Sequence, residues 1–272
     1  MPSPDPLLQA FAEAVAGDDD AIDLARAALL IAQVEYPDLK LEPWLREIDA
    51  MARQAAQAIA RAASPVEQVQ ALTSVVIDAW GLRGAEEDYY DPRNSFLNDV
   101  LARRLGIPVS LSIVYMSVGA RAGVPLAGTA MPMHFLVRVL GVRPPRFVDC
   151  YNRGALLTEE DCRERLRRAS AGRFRFAPEA LAPISNAAVL TRLLSNLKLI
   201  YLNGLQYGKA APILDRLILL NPDEASFLRE RGIVNYRLGR RDLARSDLQD
   251  YLQHEGAASD AEAIRNLLRR IG

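Results

Sequence analysis

The sequence predicts a mostly helical α+β fold, and three observations carry that prediction. Amphipathic helical stretches fill the first sixty residues. A strand-like segment between Leu126 and Asp149 then breaks the helical texture. From Asn186 onward a helix–turn–helix pattern recurs at a 34-residue period.

The N-terminal helices are read from their caps and stripes. Asp20 is placed to cap a run holding Ile22, Leu24, Ala28, Leu29 and Ile31, with Pro37 just past its end. Pro43 opens a second helix, in which Leu45, Ile48, Met51, Ala52, Ala55 and Ile59 recur at three- and four-residue steps. Ser64, Pro65 and Glu67 form a capping box for a third helix, with Val66, Val69, Leu72, Thr73, Val76 and Trp80 facing inward.

Turn formers and acids make residues 81–94 a loop. Asn94 or Ser95 is positioned to cap a helix containing Phe96, Leu97, Val100 and Leu101, ended by Gly106. The next helix, from about Ser110 to Gly123, is apolar almost all round, as a helix buried on most faces must be. From Leu126 to Leu140, Phe135, Val137 and Val139 alternate with His134, Leu136 and Arg138, which predicts a strand with two distinct faces. The turn GVRPPR leads to a second strand, Phe147-Val148-Asp149, completing an antiparallel hairpin. Thr158 caps a further helix with Glu159 and Glu160 in its first turn, where the helix dipole favours acids.

The tail repeats itself. Ala210 aligns with Ala244, Leu214 with Leu248, and Ile218 with Leu252, and breaks fall at Asn221-Pro222 and Glu255-Gly256. A helical hairpin of 34 residues is the tetratricopeptide signature, and stacked units of that kind present a groove to a protein or peptide. About two copies fit, so the tail is expected to pack on the segment before it.

Composition excludes several classes. The 272 residues carry 33 basic and 34 acidic side chains, so no global field draws in nucleic acid or an anionic membrane. No apolar run approaches the ~20 residues of a membrane span, and the first twenty residues lack the features of a secretory leader. Cys150 and Cys162 are too few for a disulfide framework, and with His134 and His254 they make a poor zinc set. Glycine-rich phosphate loops are absent. The expectation is a cytoplasmic protein without metal or cofactor.

One constellation has chemical potential: Ser110 or Ser112 at a helix start, His134 on a strand, and Asp149 at the end of the next. A nucleophile at a helix N-terminus, a histidine base and a carboxylate that fixes its tautomer are the parts of a papain-like site. The strand register is open. A tight turn at Gly141-Val142 sets His134 opposite Asp149, whereas a loop of the whole Gly141–Arg146 stretch sets Arg138 there.

At these residues a family resemblance is visible. The stretch NSFLNDVLARRLGIPVSLSIVYMSVGARAGVPLAGTAMPMHFLVRV resembles bacterial transglutaminase-like proteins with C-terminal tetratricopeptide repeats, the SirB-type regulator family. The resemblance extends to LLIAQVEYPDLKLEPWLREIDAMA and to the helical tail. It implies N-terminal helices over 1–63, a small papain/transglutaminase-like core over 64–184, and tetratricopeptide-like helical hairpins over 185–272. It also implies that His134 and Asp149 match the last two members of a Cys–His–Asp triad. The cysteine itself is missing: Ser110-Leu111-Ser112 stands in its place. Met133 stands where glycine is expected, and Cys150 where proline commonly follows the aspartate.

Each candidate also has a structural reading. A thiol with a pKa near 8.5 is readily made a thiolate, whereas a serine needs general-base help and an oxyanion hole. Serine is also among the best helix caps, so a capping role is favoured for Ser110 and a packing role for Ser112. Asp149 reads equally as a turn former or ion-pair partner. Asn98 is a possible oxyanion donor but reads better as an exposed helix position, and His254 suits a helix C-terminus. Cys150 should face away from Asp149. The run from Arg163 to Phe176, with six arginines and two phenylalanines, has the texture of a nucleic-acid patch, but a solvated face paired with acids is the preferred reading. Two functions follow. The favoured one is a non-catalytic, regulatory protein-binding adaptor on a degenerate core. The competing one is a serine-dependent hydrolase or acyltransferase acting on peptide or amide substrates through Ser110, His134 and Asp149.

Overall fold

The computed structural model describes residues 5–271; the first four residues, part of the leader reading above, lie outside them. The chain divides into two compact units, one of residues 14–193 and one formed by the N-terminal residues up to Glu13 with 194 onward. Most of α1 (Pro6–Ala14) belongs to the second.

In the first unit, α2 (Leu24–Ala32) is buried at every position but Arg26. Its cap is Asp23, which accepts from the Arg26 N–H; Asp20 lies in a preceding 3₁₀ turn, so the predicted cap falls one turn too early. Helix α3 (Glu42–Ile59) buries Ile48, Met51, Ala52 and Ala55 of the predicted stripe, with Leu45 and Ile59 at its ends half-buried. Helix α4 (Pro65–Thr73) is capped by Ser64, as predicted, and a π-helical turn over Ser74–Ala79 follows. Val75, Val76 and Ile77 of this turn are all buried.

The predicted loop contains β1 (Arg83–Gly84). Helix α5 (Leu97–Arg103) is capped by neither Asn94 nor Ser95: Phe96 holds the N-cap position, without a side-chain bond. Arg104 ends the helix in the left-handed conformation, and β2 (Leu105–Gly106) pairs with β1 in parallel. Helix α6 (Pro108–Arg121) is buried at every position from Pro108 to Gly119, as its composition requires. A β-carbon on Gly119 would sit 2.5 Å from Leu126 Cδ1, so glycine sets how closely α6 approaches the sheet.

The predicted long strand is two. β3 (Leu126–Thr129) and β4 (Leu136–Val139) pair with each other, and β5 (Arg146–Asp149) and β6 (Ala155–Leu157) complete a four-stranded antiparallel meander. Strand parity holds as predicted. Phe147 and Leu136 face a cluster with Cys162 and Leu166 of α7 (Glu159–Ala169), while Cys150 faces α6 through Ser112.

From Asn186 the chain is helical: α8 (Asn186–Asn203), α9 (Tyr207–Leu220), α10 (Ala225–Arg237), α11 (Arg241–His254) and α12 (Ala261–Ile271). The steps from Tyr207 to Arg241 and from Leu220 to His254 both equal the 34-residue period. Ala210, Leu214, Ala244 and Leu248 are fully buried, and Leu205 and Gly239, at equivalent positions before each helix, both take positive φ. Arg231 ties the hairpins together by bridging Asp215 of α9 and Asp247 of α11.

Candidate functional site: a buried aspartate and its histidine

Asp149 closes β5 and is completely buried. A buried carboxylate is costly unless its oxygens are filled, and here each accepts two bonds. Oδ1 accepts from His134 Nε2 at 2.9 Å and from the Asn152 backbone N–H at 3.1 Å. Oδ2 accepts from Asn152 Nδ2 at 2.8 Å and from Arg165 Nη1 at 2.7 Å. Burial by itself raises the pKa of this carboxyl; the bonds from His134 and Asn152 outweigh it and hold the group below the ordinary carboxylate value.

Neither predicted register is the observed one. Val139 pairs with Arg146 and Val137 with Val148. The connection Leu140–Pro145 is longer than a tight turn and shorter in its effect than a loop through Arg146. Continued, this register sets Leu136 across from Asp149, with His134 two residues beyond on the same face. Diagonal neighbours of that kind still reach each other when one side chain is long. His134 is also not on a strand: it follows a turn whose last residue, Met133, has φ 64°. This conformation is the physical reason glycine is expected there.

With Nε2–H donated to Asp149, the neutral ring carries its lone pair on Nδ1. Among the described residues no group bonds Nδ1, and the side chain keeps 17% of its surface exposed. A chain of aromatic rings runs out from the imidazole. Tyr151 meets the imidazole edge-to-face at 6.2 Å, Tyr89 meets Tyr151 at 6.3 Å, and Tyr90 meets Tyr89 at 5.3 Å. Tyr89, Tyr90 and Met133 are exposed, Tyr90 and Met133 the most.

The serines are engaged elsewhere. Ser110 is the third residue of α6; its Oγ accepts from the Ile107 backbone N–H at 3.0 Å and donates to the Asn94 carbonyl at 2.6 Å. It thus closes the start of α6 from inside the helix and ties it to the segment leading into α5. Ser112 donates to the Pro108 carbonyl one turn back. Neither hydroxyl is hydrogen-bonded to His134. Cys150 lies on the opposite strand face from Asp149, and burial pushes its thiol pKa far up, so it is not available as a thiolate. Asn98 is buried, not exposed as expected, and its Oδ1 has no hydrogen-bond partner.

Arg165 and Asn152 were missed from the sequence. Asn152 belongs to a turn, but Arg165 lay hidden in an arginine run. Its neighbours behave as solvated charges: Arg163 pairs with Glu159 and Glu160, and Arg167 and Arg168 pair with Glu164. Among the described residues, no group of three or more His, Cys, Asp or Glu could hold a metal ion. A cleft of about 660 Å³ lies at the other end of α6, lined by Met116, Arg121, Leu126, Leu140 and Ile184, away from this chemistry.

Residues 42–195, the segment holding every group described above, match the family model of the transglutaminase-like superfamily. The chain belongs to that superfamily. Residues 197–269 match a tetratricopeptide repeat model, so it is a transglutaminase-like protein with a C-terminal repeat tail. It is 35% identical over 257 residues to a UPF0162 protein of Xylella fastidiosa, covering 92% of this chain and 90% of the relative. Protein SirB1 of Salmonella typhimurium is 23% identical over 225 residues, 83% of this chain and 84% of that protein. Human F-box only protein 21 is 28% identical over 190 residues, which span 63% of this chain but 28% of the relative. No solved structure matches. No helix among the described residues is long and apolar enough to cross a membrane.

Proposed function

We propose that this transglutaminase-like protein is a regulatory, protein-binding adaptor whose core recognises a partner at the His134 edge without turning it over. The observation that carries this reading is the division within the site. His134 and Asp149 keep a base-and-orienter geometry at 2.9 Å, while the hydroxyls of Ser110 and Ser112 are committed to backbone groups. A serine already donating at 2.6 Å to a carbonyl, and fully buried, has to break that bond before a base can take its proton. The exposed Tyr90 and Met133 beside His134 suit a binding surface, because tyrosine and methionine provide adaptable apolar contact. The repeat tail supplies a second surface of a type that binds protein segments. Two free, buried cysteines support a cytoplasmic location.

The competing serine-hydrolase reading draws support only from the His134–Asp149 pair. A photo-crosslinking residue at position 90, introduced in cells that carry the protein, tests the proposal. One discrete protein adduct that disappears in His134→Ala is the expected result. Hydrolysis or acyl transfer that depends on His134 would contradict it.

A further inference from the structure

The cleft at the far end of α6 is built wholly from residues of the first unit. Its volume of about 660 Å³ is in the range of small-molecule sites. Ile22, Met116, Leu126, Leu140 and Ile184 give it apolar walls, and its charged lining residues are Asp19, Asp20, Asp23 and Arg121. Three carboxylates thus share the cleft with one guanidinium, and that guanidinium is already engaged. Arg121 bonds Asp23 at 2.6 Å, Asp49 of α3 at 2.9 Å and the Ser117 carbonyl at 3.0 Å.

The three acids are not equivalent. Asp19 accepts from the Asn186 and Ala187 backbone N–H groups at 2.6 and 2.8 Å, which fills the start of α8. Asp23 caps α2 through the Arg26 N–H as well as pairing with Arg121. Asp20 is exposed and has neither a hydrogen bond nor an ion pair among the described residues. Arg26, the cation nearest to it in sequence, is exposed and does not line the cleft. A second polar group of the lining also lacks a partner. Ser117 is 3% exposed, and its Oγ has no hydrogen-bond partner. Buried hydroxyls are almost always paired, so an open one in the wall of a cleft marks a place for a ligand atom.

We propose that this cleft is a binding site for a small primary amine with an apolar body and a hydroxyl at its far end. Asp20 pairs with the ammonium, the apolar walls cover the body, and Ser117 bonds the hydroxyl. An anionic ligand of the same shape is disfavoured, because the acids outnumber a cation that is already paired. The cleft does not include the His134 edge, so this site and the binding role proposed above can fail separately.

Of the five methionines in the chain, Met116 lines the cleft, so methionine methyl NMR reads its occupancy. Titrating the full chain with tyramine should shift the Met116 methyl signal saturably and leave that of Met133, beside His134, in place. Phenethylamine, which lacks the hydroxyl, should bind more weakly. 3-Phenylpropionate, with a carboxylate in place of the ammonium, should bind more weakly still. Asp20→Asn should weaken tyramine binding about fivefold, and Ser117→Ala should reduce it to the level of phenethylamine. No saturable shift of Met116 overturns the proposal. So does 3-phenylpropionate binding as tightly as phenethylamine, an unchanged tyramine affinity in Asp20→Asn, or an advantage of tyramine that survives in Ser117→Ala. Should Ser117→Ala fail to fold, Asp20→Asn and the comparison of the three compounds on the wild-type protein still decide the question.

Discussion

His134 and Asp149 meet at 2.9 Å as diagonal neighbours across the β4–β5 pairing, with the histidine already off the end of its strand. Freedom from the ladder lets the ring turn toward the carboxylate while leaving its other edge unbonded. That edge, and not the serine pair on α6, is the feature the proposed recognition uses.

The first prediction concerns acid stability. The Asp149 pKa is lowered in the folded protein, so its contribution is fully present above the unfolded value of about 3.9 and is lost as pH falls through the lower folded value. Denaturant unfolding should therefore show stability declining below about pH 4, with a shallower decline in Asp149→Asn. At neutral pH, Asp149→Leu should cost about 3 kcal/mol, because Arg165 and His134 lose a buried partner. An acid limb unchanged by Asp149→Asn would show that the carboxylate is not linked to folding.

Ser110→Ala should cost about 1–2 kcal/mol, the price of leaving the Asn94 carbonyl and Ile107 N–H without their shared hydroxyl. The His134 NMR signals should stay in place. A large movement of those signals, with little loss of stability, would put Ser110 in the site after all.

Met133 and Leu205 are exposed residues with positive φ, where glycine carries no β-carbon penalty. Met133→Gly and Leu205→Gly should each raise stability by about 0.5 kcal/mol. Only Met133→Gly should weaken capture at the His134 edge. Equal loss of capture in both variants would remove Met133 from the binding surface.

Arg216 of α9 is fully buried above the Phe11 ring, with one bond to the Pro212 carbonyl and no hydrogen-bond partner for Nε or Nη2. Desolvation lowers its pKa, against the pull of Asp5 and Asp215. Arg216→Met should therefore stabilise the tail by on the order of 1 kcal/mol in thermal unfolding. Destabilisation would mean that the guanidinium is satisfied by groups such as buried water.

Much of this was legible in the sequence because it depends on local periodicity. Alternation placed Phe135 and His134 on opposite faces, and the 34-residue step aligned α9 with α11. The glycine expected at Met133 corresponds to a real left-handed residue. What depended on distant pairing was not legible. The register needed the loop geometry, the α2 cap needed the start of the helix to within a turn, and the Arg165–Asp149 bond joins residues whose separate contexts predict nothing about each other. Ser110 was read as a cap, and it does close the helix, but from the third helical position and with a tertiary bond to Asn94 that no local pattern encodes.

The most direct test of the central claim is intact-protein mass spectrometry after incubation with a fluorophosphonate, comparing wild type with His134→Ala. A structural Ser110 predicts no adduct on the folded chain in either protein. A stoichiometric adduct mapped to Ser110 and lost in His134→Ala would contradict the account and make the core an enzyme.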